Sequence, residues 1–117
     1  MLSDELHPAV GHVIAALEPD EELAIQAKAQ DAALAVTNRR LLVAANERLA
    51  LSLEFEALRR IQFDIEQGRP ATMVIVPAHA RYEPQVLAIA PEDYETAAQA
   101  LALIGRRLAE ASQAEAS

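Results

Sequence analysis

The chain has 117 residues, a formal net charge of −8 and no cysteine. That length suits one domain able to bury roughly 65% of its unfolded surface. The missing cysteines exclude disulfides, thiol catalysis and zinc–thiolate sites, and the negative field disfavours nucleic acid and anionic lipid surfaces. No apolar run approaches the roughly 18 residues of a membrane span. The acids of "MLSDELHP" stand where a secretory leader needs a basic start, so a cytoplasmic location is expected. Phe55, Phe63, Tyr82 and Tyr94 are the only aromatic residues, too few for a platform on which nucleobases stack.

Pro8 suits the first position of a helix, where its missing N–H would have had no intrahelical partner. Val10, Val13, Ile14 and Leu17 follow at helical spacing. Glu18-Pro19 ends the run, because a residue before proline resists the α conformation. From Glu22 the hydrophobic period falls to 2. Leu23, Ile25, Ala27 and Ala29 alternate with polar residues in "EELAIQAKA". "RLALSLEF" sets Leu49, Leu51, Leu53 and Phe55 on one face, and "RIQFDIE" does the same with Ile61, Phe63 and Ile65. Such alternation predicts antiparallel strands with one buried and one wet face. "TMVIVPA" and "QVLAIA" are continuously apolar and read as central strands.

Asp31, Asn38-Arg39, Asn46-Glu47 and Gln67-Gly68 are suited to tight turns, and only Ala78 to Pro84 is long enough for a larger loop. Seven strands joined mostly by hairpins predict a meander curled into a barrel or two packed sheets. A closing helix starts at Pro91, with Glu92, Asp93 and Glu95 near its positive end and Arg106 and Arg107 near its negative end. Tyr94, Ala97, Ala98, Leu101, Ile104 and Leu108 form its apolar stripe. The expected division is a helical extension over 1–18, a folded domain over 19–110 and a flexible tail over 111–117.

A short helix, about seven antiparallel strands and one amphipathic helix resemble the pleckstrin-homology-like superfold, in which the last helix plugs one end of a curled sheet. "LAVTNRRLLV" looks like the signature hairpin of bacterial pleckstrin-homology domains and the related GRAM domains: a strand ending in Thr37, a polar turn, an Arg and an aliphatic strand. "LSLEFEALRRIQFD" is similar to the section that follows in that family. The resemblance covers roughly residues 18 to 109. It implies a mainly β, pleckstrin-homology-like curled antiparallel barrel capped by a C-terminal amphipathic helix, with a short N-terminal helix added. It also implies a binding module for proteins, peptides or phosphoinositides. Fold alone does not choose among them.

Lipid-binding members place a Lys and, about ten residues on, a basic-x-Arg triplet around the first two strands. Lys28, Arg39 and Arg40 begin that pattern, but Leu41 breaks it. Asn38-Arg39 reads more simply as a two-residue hairpin turn, with the Arg40 stem on the sheet and its head on an acid. The residues able to meet a phosphorylated ligand are Lys28, Arg48, His79 and Arg81.

His7 and His12 are five apart and do not form a helical metal pair, and His79 sits in the long loop. Gly11, Gly68 and Gly105 make no phosphate-cradling loop, and there is no nucleophile elbow. "EPDEE", Glu18 to Glu22, reads as a solvated linker. The Arg59-Arg60 and Arg106-Arg107 doublets are too short for a nucleic-acid patch.

No catalytic group, metal site or cofactor is therefore expected. A non-catalytic module for protein–protein interaction or self-association is the leading expectation, with anionic headgroup or phosphorylated-ligand binding as the alternative. Val10, Val13, Ile14 and Leu17 are the candidate interface, to be covered either by the chain's own barrel or by another subunit. Ala24, Ala33, Ala35, Ala44 and Ala50, on presumed wet faces, would also suit close approach by another chain. Contact with a membrane surface is disfavoured by the net charge.

Overall fold

A computed structural model describes residues 8–45 and 48–116, without the side chains of 8–10, 12 and 112–116. His7, the Asn46-Glu47 turn and the side chains of Val10 and His12 lie outside the described residues. The elements run α1 (Pro8–Ala16), β1 (Leu23–Lys28), β2 (Ala32–Thr37), β3 (Arg40–Ala45), β4 (Arg48–Glu54), β5 (Leu58–Asp64), β6 (Ala71–Pro77), β7 (Gln85–Ile89) and α2 (Tyr94–Ala116). Single 3-10 turns at Phe55–Ala57 and Pro91–Asp93 lead into β5 and α2. The strands form two antiparallel sheets, β1-β2-β3-β4 and β5-β6-β7, that share a core without closing into a continuous barrel.

The central strands of the first sheet, β2 and β3, are buried on both faces, which explains why "AALAVT" and "RLLVAA" do not alternate. Leu34, Val36, Leu41 and Val43 face the main core, where they meet Met73 and Ile75 of the second sheet and Ala97, Ala100 and Ile104 of α2. On the opposite face Ala33, Ala35, Leu42 and Ala44 lie against Val13 of α1. Three alanines expected on a wet face are therefore covered by the chain's own helix. Their short side chains let α1 approach the sheet closely enough for dispersion contacts.

Two bulges correct the expected strand faces. The β3–β4 register shifts between Val43 and Ala44, so Val43 opposes Leu51 while Ala44 opposes Leu49. Leu49 consequently packs with the α1 cluster, not beside Leu51, Leu53 and Phe55 in the main core. A similar shift between Leu23 and Ile25 turns Leu23 towards α1 and leaves Ile25 in the core. An extra residue in one strand inverts which face every later side chain takes.

β6 is the central strand of the second sheet, as its apolar run implies, whereas β7 is an edge strand. Its Val86 is 66% exposed. In α2 the packed stripe is Tyr94, Ala97, Ala100, Leu103, Ile104 and Leu108, and Ala98 is exposed. Apolar residues flank this stripe on both sides, so hydrophobic spacing alone does not choose the helix face; packing on the sheet does. Helical structure extends through Ala116, into the segment read above as a tail.

Candidate functional site

The β2–β3 hairpin turns on Asn38-Arg39, since Val36 pairs with Leu41 and Thr37 and Arg40 flank the two turn residues. The Thr37 hydroxyl accepts the N–H groups of Arg39 and Arg40, each at 3.1 Å. It donates in turn to the Glu21 carboxylate at 2.7 Å. This is a tight polar turn of the kind Thr and Asn favour.

The acidic linker before β1 folds directly onto this turn. The Arg40 guanidinium meets Glu21 through two bonds of 2.8 Å, a bidentate pair that matches planar donors to a planar carboxylate. Its remaining donors reach the Ser52 hydroxyl at 2.6 Å and the Ala16 carbonyl at 2.9 Å. The Glu21 side chain is fully buried. The Arg40 guanidinium holds its carboxyl down at about 2 while burial pulls the other way, and the Thr37 hydroxyl and Glu18 N–H add to the lowering. Glu21 reciprocally raises the Arg40 pKa. Arg39 pairs with Glu18 at 2.9 Å and also with Asp20, all three side chains being well exposed. Asn38 closes the junction: its side-chain oxygen accepts the Glu22 N–H at 2.9 Å and its own N–H donates to the Glu22 carbonyl at 3.1 Å.

Beside this junction lies a cleft of about 520 Å³. It is lined by Glu18 of the linker, Arg39 and Arg40 of the hairpin, Ser52 and Glu54 of β4, Ala57 of the turn before β5, and His79, Arg81 and Tyr82 of the β6–β7 loop. The loop is anchored where the Ala78 N–H donates to the Ala57 carbonyl at 2.8 Å. Within it the Arg81 guanidinium sits 5.0 Å from the Tyr82 ring centroid and donates to the Tyr82 hydroxyl at 3.3 Å. The His79 Nδ1 accepts the Arg81 N–H at 3.1 Å. Arg81 has no carboxylate partner among the described residues.

The four expected ligand residues are not brought together. His79 and Arg81 line the cleft, whereas Lys28 ends β1 and Arg48 begins β4 at the far end of the first sheet, where Lys28 opposes Ala33 and Arg48 opposes Ala45. Six residues of β4 separate Arg48 from Glu54, about 20 Å along a strand. Of the expected interface residues, Val13 is fully buried against the chain's own sheet and Leu17 packs beside it, while Ile14 is 53% exposed. Among the described residues no three of His, Asp and Glu gather as a metal cluster, and no helix is long and apolar enough to cross a membrane.

The buried Glu21 is the residue that linear reading misses, since "EPDEE" looks like solvated linker. A signal does exist. Leu23 opposes Thr37 and the Glu22 backbone meets Asn38, so Glu21 falls beside the hairpin turn, where its side chain reaches across to Arg40. The register, not the composition, holds the information.

No protein-family model and no curated protein sequence matches the chain. Among solved structures, the crystal structure of a pleckstrin homology domain from Shewanella amazonensis SB2B is similar in fold, with a TM-score of 0.61 over 85% of this chain and 94% of that one. The two are 15% identical, so their likeness is one of backbone arrangement. With the element order and the two packed sheets, it shows that this chain has the pleckstrin-homology-like fold.

Proposed function

We propose that the protein is a non-catalytic binding module whose ligand is a protein surface. The observation that carries this reading is the engagement of the hairpin arginines. Arg40 is committed to the buried Glu21, and Arg39 to Glu18 and Asp20. A phosphorylated headgroup needs several converging cationic donors. The cleft offers it Arg81, and Glu18 and Glu54 also line it and would repel it. The unused polar groups are therefore too few, and too mixed in sign, for a headgroup. No activated nucleophile or acid–base pair is assembled by these side chains, so binding without chemistry is the reading they support.

Co-sedimentation with vesicles, comparing anionic with neutral lipid at low and physiological salt, tests the choice. The expected result is no binding to either, even at low salt where attraction to anionic lipid is strongest. Anionic-only binding that disappears in Arg81→Ala would overturn the protein-surface reading in favour of a headgroup.

A further inference from the structure

We propose that the outer face of the β5–β6–β7 sheet docks onto the same face of a second copy of this chain, with the two sheets running antiparallel. The inference rests on the protein-binding reading above and names its partner.

The outward residues are Arg60, Gln62 and Asp64 on β5, Val74 and Val76 on β6, and Val86 on β7. Arg60 opposes Val76, Gln62 opposes Val74, and Val74 opposes Val86. Opposed residues of an antiparallel ladder share a face, and the alternate residues Ile61, Phe63, Met73, Ile75 and Leu87 belong to the core. Arg60, Gln62, Asp64 and Val86 are exposed, and Val74 and Val76 are half-buried. α1 covers the first sheet and α2 joins the core, so none of the described elements covers this valine patch.

The charges around the patch select a second copy over an unrelated partner. Arg60 and Asp64 stand at opposite ends of the exposed row, about 13 Å apart along the strand. Neither has an ion-pair partner among the described residues; Asp64 accepts the Gln62 amide at 2.9 Å. Consider a two-fold axis lying between two such sheets and crossing the strands at Gln62. It lays β5 on β5 reversed, so Arg60 of each copy meets Asp64 of the other, Val74 and Val86 meet the same residues of the other copy, and Val76 meets Thr72. A surface of this kind is self-complementary, as an isologous interface requires.

The face is small. Three strands about 4.8 Å apart and five residues at about 3.3 Å each span roughly 14 by 17 Å. A standard interface buries about 800 Å² on each partner, so this dimer is weak and depends on concentration.

Sedimentation equilibrium of the full chain from about 10 μM to about 1 mM tests it, a range suited to an interface of this size. The expected mass rises from 12.7 kDa towards twice that value. Val86→Asp is expected to remain monomeric throughout. Arg60→Asp and Asp64→Arg alone should each weaken association about tenfold, because each sets like charges face to face. The double exchange restores association, since both cross-pairs are then re-formed with their signs swapped. These charge changes are on exposed side chains and leave the core intact, so they remain informative if Val86→Asp fails to fold. A monomer at every concentration overturns the proposal, and so does a double exchange no better than the single variants. Such a monomer that also ignores anionic vesicles removes this dimer alone; a monomer that binds anionic vesicles through Arg81 removes the protein-surface reading as well.

Discussion

Replacing Glu21 by Gln tests the buried ion pair most directly, because it removes the charge and keeps the shape. The Glu21 carboxyl is held at about 2 against an ordinary value of 4.5. Each pH unit of that difference is worth about 1.4 kcal/mol. At pH 7 the difference of 2.5 corresponds to about 3 kcal/mol of stability that Gln cannot supply. Loss of one partner of a buried pair costs a similar amount, roughly 3–5 kcal/mol, because the other charge is left uncompensated. The Arg40 side chain retains 19% exposure, which favours the lower figure. The sign follows from the direction of the shift. A carboxyl whose folded pKa is depressed stabilises the protein above its unfolded pKa and loses that contribution as pH falls through the folded one. The gap between native protein and Glu21→Gln is therefore full above about pH 5 and falls to about 1.4 kcal/mol near pH 3. Below about pH 2 it vanishes. Urea unfolding followed by circular dichroism measures this, with a midpoint about 1.5–2 M lower for the variant at pH 7. A gap below 1 kcal/mol at neutral pH, or one that stays constant down to pH 3, would refute the reasoning.

Further expectations concern single positions. Gly68 has a φ of 82° in the β5–β6 turn, so Gly68→Ala should cost about 1–2 kcal/mol through backbone strain, although nothing crowds its Cβ. Gly105→Ala, in the exposed interior of α2 with equally open space, should stabilise by about 1 kcal/mol. Thermal melts read the pair as shifts of opposite sign, about 4 °C for each kcal/mol, and shifts of the same sign would contradict the assigned conformations. Ile104→Ala removes a fully buried side chain where α2 joins the core and should cost about 2–5 kcal/mol in chemical denaturation. A cost under 1 kcal/mol would mean that α2 does not pack as described.

Local pattern was enough for the order of elements. Pro8 and Pro91 mark helix starts, alternation in "RIQFDIE" marks a half-buried strand, and Asn38-Arg39 marks a two-residue turn. Each depends on interactions within a few residues, which linear spacing records directly. Arg39 and Arg40 were half legible, in that the turn and an acid for Arg40 were readable and which acids pair with them was not. Glu21 lies 19 residues from Arg40 in the chain, and nothing in "EPDEE" distinguishes the buried acid from its solvated neighbours.

What only the tertiary structure decided is which face each residue takes and which distant groups meet. The bulges at β1 and β4 turned Leu23 and Leu49 to the α1 side, and α1 settled on alanines that composition alone would leave exposed. The same folding put His79 and Arg81 beside the hairpin arginines, and Lys28 and Arg48 at the opposite end of the sheet. Period and turn chemistry are properties of neighbours along the chain, so sequence carries them. Register, helix placement and charge pairing depend on residues far apart in sequence, and become definite only when the competing ways of burying the same apolar surface are resolved by packing.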